Sequence, residues 1–433
     1  MRQNITGRGL LEVAVRFALP LALLVLLGGL LVGCEALEGL PDNRDPMGRK
    51  RVDVPPLPSG AHLYCITNVE HTLAVYSIAQ DAVLHDRRVH LPDLDTVGPW
   101  FAGDAGYYLS RVDGSGAGSN ALVRFDPITL RETGRYNFPA NSNPNSLFLL
   151  PSQPGIGWVA LRGSTFDRFA TNGIAIMALG AGTPMRQAGY ADLNALAALP
   201  GETLTSLLGF VWDAAGCGAG CAWALVNNFD GALRDGVLLQ LAPNPDPALP
   251  PAMVARAALG RNALWPFLLA PDGALWVVNN GGYMHYDPTG QPGFLQIISA
   301  ANPALDPDLD GLPGETLPLA EPTPGCSPLP APDPGCDPSA VYAFDGTRAW
   351  VATYPHNVLR VARLDTHTLE DVAFSPAPMS GPLFSAPSVT AIGLGSYGVA
   401  RLGILDAATG TLLGEHDLQA GRGPLGCAEH TVP

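Results

Sequence analysis

Leu268-Leu269-Ala270-Pro271-Asp272-Gly273-Ala274-Leu275-Trp276-Val277-Val278-Asn279 decides the fold. Two apolar runs flank Asp-Gly, a dipeptide whose backbone freedom suits a tight hairpin turn. The second run carries Trp and ends in a polar residue. Val341-Tyr342-Ala343-Phe344-Asp345-Gly346-Thr347-Arg348-Ala349-Trp350-Val351-Ala352-Thr353 repeats the plan, Trp included. A third apolar strand follows such hairpins. It is clearest at Ala121-Leu122-Val123-Arg124-Phe125-Asp126, at Val358 to Asp365 and at Val399 to Asp406. Thr129, Thr368 and Thr409 come soon after, and a fourth apolar strand follows each. Asp and Thr at those points can close a turn through side-chain bonds to the backbone.

Working outward, third-strand segments recur near Ile78, Asp126, Ala178, Leu241, Asp287, Asp365 and Asp406, with gaps of 48, 52, 63, 46, 78 and 41 residues. Most gaps match a four-strand module of about 40–50 residues. The two long ones contain Pro-rich insertions, the larger at about 300–338. Composition agrees: 50 Gly and 42 Pro in 433 residues oppose long helices, and 47% hydrophobic with 15% charged residues opposes disorder. The expected fold is all-β, a seven-bladed β-propeller over residues 61–433, with six or eight blades as alternatives. In pattern the modules resemble the YVTN- and NHL-like bacterial propellers, although the Trp-Asp signature of WD40 repeats is missing.

The first module opens on His62-Leu63-Tyr64-Cys65-Ile66-Thr67-Asn68, which by register is a second strand with no first strand before it. The tail Pro424-Leu425-Gly426-Cys427-Ala428-Glu429 lies beyond the seventh module. The expectation is that this tail supplies the missing innermost strand and closes the ring. Cys65 and Cys427 would then meet. Cys217–Cys221 and Cys326–Cys336 pair by proximity. Six of the seven cysteines are thereby used, as suits an exported protein. Zinc is the alternative for Cys217-Gly-Ala-Gly-Cys221, although no second ligand pair stands at zinc spacing.

The remaining cysteine ends an N-terminal address. Arg2, Arg8 and Arg16 precede an uncharged apolar run, Phe17 to Gly33, whose 17 residues fall short of a comfortable membrane span. The run ends in Leu31-Val32-Gly33-Cys34, which resembles the bacterial lipobox. That resemblance implies a signal peptide over 1–33, cleavage before Cys34 and lipidation of its thiol and new amino group. An uncleaved signal anchor is the alternative. Residues 34–60 read as a flexible tether. Glu35 after the cysteine favours the outer membrane over retention at the inner one, which the family pattern assigns to Asp. The first 33 residues carry three Arg and one Glu, net +2, so the mature chain stands at −17 against −15 for the whole. A surface this acidic opposes nucleic acid and anionic headgroups as partners. The membrane is reached through the lipid.

Second strands end in polar residues: Asn68, Arg111, Arg162, Asn227 with Asn228, Asn279 with Asn280, and Tyr354 with His356. In a propeller these ends surround the channel mouth. Convergent donors and acceptors at a concave mouth are the expected binding site. The bland alternative is that Asn and Arg merely bond turn backbone there. Calcium-dependent lactonases of this fold bring acids to the mouth, whereas no acid recurs at these aligned positions. No nucleophile elbow, HExxH, P-loop or quinone signature is present. Asp306-Pro307-Asp308-Leu309-Asp310-Gly311 places three carboxylates two apart, as a Ca²⁺ loop does. It resembles the first half of an EF-hand loop but has Leu317 where the last ligand should be. The expected function is therefore a lipid-anchored, extracytoplasmic module that binds an envelope protein, peptide or glycan, or scaffolds the envelope. The alternative is a hydrolase or dehydrogenase with its site at the same mouth.

Overall fold

The computed structural model describes residues 56–433, less 68–71, 86–87, 92–95, 112–118, 141, 163–170, 181–183, 230–233, 282–292, 309, 319–336, 344–345, 355–358, 375–382, 387–390, 396–400, 407–410 and 419–423. Cys34, Asn68, His356 and the Cys326–Cys336 pairing lie outside those residues. The described chain is all-β, with one helical turn, and its strands form seven antiparallel sheets.

Sheet 1 holds β1 (Gly60–Thr67), β2 (Thr72–Ser77) and the two-residue β3 (Ala82–Val83) and β4 (Val89–His90). Sheet 2 holds β5 (Thr96–Ala102), β6 (Ala105–Ser110), β7 (Ala121–Phe125) and β8 (Glu132–Asn137). Sheet 3 holds β9 (Pro144–Leu149), β10 (Ile156–Leu161), β11 (Gly173–Ala178) and β12 (Arg186–Asp192), and α1 (Leu193–Ala197) follows it. Sheet 4 holds β13 (Leu207–Asp213), β14 (Cys221–Val226), β15 (Asp235–Ala242) and β16 (Ala252–Arg261). Sheet 5 holds β17 (Ala263–Leu269), β18 (Ala274–Asn279), β19 (Phe294–Ser299) and β20 (Glu315–Pro318). Sheet 6 holds β21 (Asp337–Ala343), β22 (Arg348–Tyr354), β23 (Leu359–Arg363) and β24 (Thr368–Phe374). Sheet 7 holds β25 (Leu383–Ala386), β26 (Ala391–Gly395), β27 (Arg401–Asp406) and β28 (Leu412–Asp417). The last strand, β29 (Pro424–Val432), returns to pair with β1 in sheet 1. In sheets 2 to 7 the strands lie in sequence order, each beside the next.

The turns follow from local chemistry. Between β17 and β18, Gly273 takes φ 85°, and Asp272 Oδ1 accepts the Ala274 N–H at 2.9 Å. After β7, Asp126 Oδ1 accepts from the Ile128 and Thr129 amides. Both are turns that Asp closes with its own side chain.

Packing lies between sheets. Strands β14 and β18 are buried at every residue, because both faces meet a neighbour. An aromatic residue on the second strand of a sheet projects into the seam with the following one. Tyr64 packs with Tyr108 and Phe125 of sheet 2, and Tyr107 with Leu147 of sheet 3. Trp158 meets Phe210 of sheet 4 edge-on, with centroids 5.8 Å apart. Trp223 packs with Phe267 of sheet 5, and Trp276 with Val341 and Val351 of sheet 6. The other face of sheet 1, through Leu63 and Tyr76, packs on Leu402 and Ile404 of sheet 7. Each such aromatic, fully buried, stabilises the fold by roughly 1.5–3 kcal/mol of transfer free energy. The first-lying strands also touch in succession: β29 with β5, β5 with β9, β9 with β13, β13 with β17, β17 with β21, β21 with β25, and β25 with β29.

Three expectations shift. The tether ends earlier than residue 60, because Leu57 is buried and its amide donates to the Ile128 carbonyl at 3.0 Å. The Pro-rich stretch at 300–338 is not all insertion: it supplies β20 and the start of β21. As the outermost strand of sheet 5, β20 tolerates Pro318 at its end, where a missing donor costs nothing. The third strand of sheet 5 is β19, beyond the expected position near Asp287.

Two disulfides join described residues. Cys217–Cys221 spans the turn between β13 and β14. Cys65 and Cys427 face one another directly in the β1–β29 register and are bonded across a sequence separation of 362. Replacing Cys427 by Ser removes that constraint on the unfolded chain. Loss of a native disulfide costs about 2–5 kcal/mol. At roughly 2 °C per kcal/mol for a large domain, Tm should fall about 4–10 °C without reductant. An unchanged Tm in calorimetry would show that the bond constrains nothing.

Candidate functional site

In sheets 2 to 5 the second strand runs out at the same place. In sheet 3 the Arg162 amide donates to the Asn143 carbonyl at 2.8 Å. Sheets 4 and 5 repeat the bond, from Asn227 to Ser206 and from Asn280 to Asn262, each at 3.1 Å. Arg111 follows Ser110, whose pairing with Thr96 is the last in sheet 2. Arg111, Arg162, Asn227 and Asn280 are thus one position seen four times. Each stands four residues after the seam aromatic of its strand: Tyr107, Trp158, Trp223 or Trp276.

The side chains of Arg111, Arg162 and Asn227 reach forward to the next sheet, and that of Asn280 meets the start of its own. Arg111 Nη1 donates to Asn145 Oδ1 at 3.1 Å, and Asn145 Nδ2 donates to the Leu208 carbonyl at 2.9 Å. Sheets 2, 3 and 4 are linked in this way. Arg162 Nε donates to Ser206 Oγ at 3.4 Å, and its guanidinium lies 5.7 Å from the Phe229 ring centroid. A cation over an aromatic face gains about 0.5–2 kcal/mol according to exposure. Asn227 Nδ2 donates to Asn262 Oδ1 at 3.1 Å, and Asn262 Nδ2 to Asn280 Oδ1 at 3.2 Å. Asn227 Oδ1 in turn accepts the Phe229 amide at 2.8 Å. All three asparagines are buried, so this chain of amides works where water does not compete.

The two remaining Asn candidates point elsewhere. Asn279 is the last residue of β18, one before Asn280, so its side chain falls on the opposite face. It is fully buried and donates to Gln296 Oε1 at 3.1 Å. Asn228 folds back at φ 57°, accepting from the Thr205 amide and donating to the Asp235 carbonyl. Ser206 and Asn262, at φ 60° and 55°, hold equivalent places just before β13 and β17. Sequence reasoning passed over them, along with Asn145 and Phe229. The available signal was weak: Asn262 is a residue that tolerates left-handed backbone, standing at a strand boundary.

A second polar group lies on the connection from β19 to β20. Oxygens of Asp306, Asp308 and Asp310 come within 4.8 Å of one another. The loop is built by its own carboxylates: Asp306 accepts from the Gly311 amide, Asp310 from the Leu312 amide and the Thr316 hydroxyl, and Asp308 from the Thr316 amide. The Thr316 amide holds the Asp308 carboxyl below its ordinary pKa. Gly311 at φ 93° permits the bend.

No family model matches this sequence, and no curated protein sequence matches it either. Solved structures do resemble it. A protein from Lactobacillus plantarum superposes with TM-score 0.58 at 11% identity, over 86% of this chain and 100% of that one. A functionally unknown protein from Desulfotomaculum acetoxidans DSM 771 gives 0.54 at 10% identity, over 84% and 98%. The dihydro-heme d1 dehydrogenase NirN gives 0.50 at 13% identity, over 91% and 78%. The structural neighbours are β-propeller proteins, and at such identities they establish fold alone.

Asn227→Ala removes one rung of the amide chain and orphans the Phe229 amide and Asn262 Oδ1. Each buried group left unpaired costs about 1–3 kcal/mol. Urea unfolding should register a loss in that range or above. A change within about 0.5 kcal/mol, as for an ordinary surface substitution, would show that the chain bears no load.

Proposed function

We propose that this chain is a lipid-anchored, extracytoplasmic seven-bladed β-propeller, closed by its C-terminal strand, that binds a protein, peptide or glycan of the cell envelope or scaffolds it. The unbroken succession of contacts among the first-lying strands, from β29 through β25 and back, supports the seven-bladed, closed reading. The observation that carries the binding role is the repeated strand-end position, filled by Arg111, Arg162, Asn227 and Asn280 in four consecutive sheets. In a propeller those ends encircle the channel mouth. Arg and Asn supply donors and acceptors but neither a nucleophile nor a general base, which suits recognition. The hydrolase or dehydrogenase alternative needs carboxylates or histidines at the same ends.

The lipobox Leu31-Val32-Gly33-Cys34 supports anchoring through Cys34, and Glu35 supports the outer membrane as its place. The net charge of −17 on the mature chain keeps nucleic acid off the surface. Ca²⁺ is the ion we assign to Asp306, Asp308 and Asp310. Three carboxylates so close repel one another, and a divalent cation with oxygen ligands relieves that repulsion and orders the connection.

Two experiments test this proposal. The detergent-solubilised full chain is screened against peptides and envelope glycans, and in parallel against chromogenic esters and lactones. A bound class whose affinity falls at least about tenfold in Arg111→Ala and Arg162→Ala, with Tm kept, is the expected result. Chelator-sensitive turnover, or binding indifferent to both substitutions, would move the function elsewhere. Palmitate label should enter the wild type and vanish in Cys34→Ser.

Calorimetric titration with Ca²⁺ tests the loop. It should show heat and a raised Tm in the wild type, and neither in Asp308→Asn. No response at millimolar Ca²⁺ would leave an ordinary acidic turn.

A further inference from the structure

The strand pair that joins the two ends of the chain carries a histidine on each side, directly opposite one another: His62 on β1 and His430 on β29. Tyr64 stands edge-on to both, with centroids 6.4 Å from His62 and 6.1 Å from His430. Phe101 of β5 stacks on His430 at 4.5 Å and 13°. His62 is 1% exposed. Its Nε2 lies 2.8 Å from the Pro58 carbonyl and must donate, since a carbonyl only accepts. Its Nδ1 is buried without a partner.

We propose that His430, seated opposite His62 and stacked on Phe101, makes this strand pair an acid-sensitive latch: its protonation loosens β29 from β1, while Cys65–Cys427, three positions along, keeps the strand tethered so that it can pair again. The elements packed against β29 are β1, β5, β25 and β26. The last three carry no titratable side chain. β1 contributes His62 and Tyr64, and its Cys65 is in the disulfide. Glu429 on β29 stands opposite Leu63, hence on the other face. At the chain end, an oxygen of Pro433 accepts from Ser59 at 2.6 Å. Among the described residues, the countering charge acting on His430 is Asp104 in the turn after β5. Burial outweighs it, and His62 adds to the burial, so the His430 pKa lies below its ordinary value.

The sign follows. A histidine with a depressed folded pKa leaves stability untouched above the unfolded value near 6.5. As pH falls through that value, the unpaired strand takes up protons that the paired one resists, and stability declines until the folded pKa is reached. His430 lies on β29, held by its pairing with β1 and by the Phe101 ring of β5, so the loosening is expected at this strand first.

Amide hydrogen exchange on the oxidised full chain at pH 7.5 and 5.0, corrected for intrinsic rates, tests the latch. The opening equilibrium of β1 and β29 should rise about tenfold relative to β10 and β14, a tenfold change being one pKa unit. His430→Phe keeps the stack on Phe101 and should remove most of that rise. Equal protection of β29 at both pH values, uniform loosening of every sheet, or a full acid response in the variant each overturns the proposal. Should the variant not fold, NMR titration of the wild-type imidazoles decides: His430 titrating at or above 6.5 defeats it.

Discussion

A four-stranded sheet with two apolar faces cannot exist alone in water. Both faces must be covered, and in sheets 1 to 5 each face packs on another sheet. That constraint explains why β14 and β18 are buried throughout, with none of the polar alternation of a one-sided sheet. It also explains the seam aromatics. Tyr64, Tyr107, Trp158, Trp223 and Trp276 fill the gap between a second strand and the sheet that follows. The indole N–H groups of Trp223 and Trp276 are buried without partners, so what these residues contribute is packing, not hydrogen bonding.

The same constraint governs the chain ends. A first sheet that begins on its second strand lacks a neighbour for one edge, and an open edge invites association with other chains. β29 covers the edge of β1, and Cys65–Cys427 ties the two. The residues beside that tie are not neutral filler. His62, Tyr64, Phe101 and His430 form a continuous aromatic group across β1, β29 and β5. The contact between the ends of the chain is therefore aromatic, covalently tied and sensitive to protons.

Polar residues at the strand ends join neighbouring sheets. The chain Asn227, Asn262 and Asn280 stitches sheet 4 to sheet 5, and Arg111 with Asn145 stitches sheet 2 through sheet 3 to sheet 4. Stitching of this kind preorganises a polar surface, because each side chain is held in one orientation before any ligand arrives. The Asn side chains are mostly consumed by it. Arg162 is only partly buried and is set against the Phe229 ring.

Local sequence was enough for most strands, their turns and the recurrence of strand-end polar residues, but not for β19, β20 and the start of β21, which the Pro-rich stretch disguised. Each legible feature depends on neighbours a few positions apart: Asp272-Gly273 makes its own turn, and Trp276 and Asn280 sit four apart on one strand. Cys65 and Cys427 could be matched for a similar reason, since the first module visibly lacked a strand and the tail visibly added one. What only the tertiary structure decided joins residues far apart. Asn227 meets Asn262 across 35 positions and Arg111 meets Asn145 across 34. Nothing local marks such partners, since their meeting depends on how one sheet lies on the next. A one-residue step also separates Asn279, interior and bonded to Gln296, from Asn280 at the strand end. Alternation along a strand sets that difference, and only the register of the pairing says which residue falls on which side.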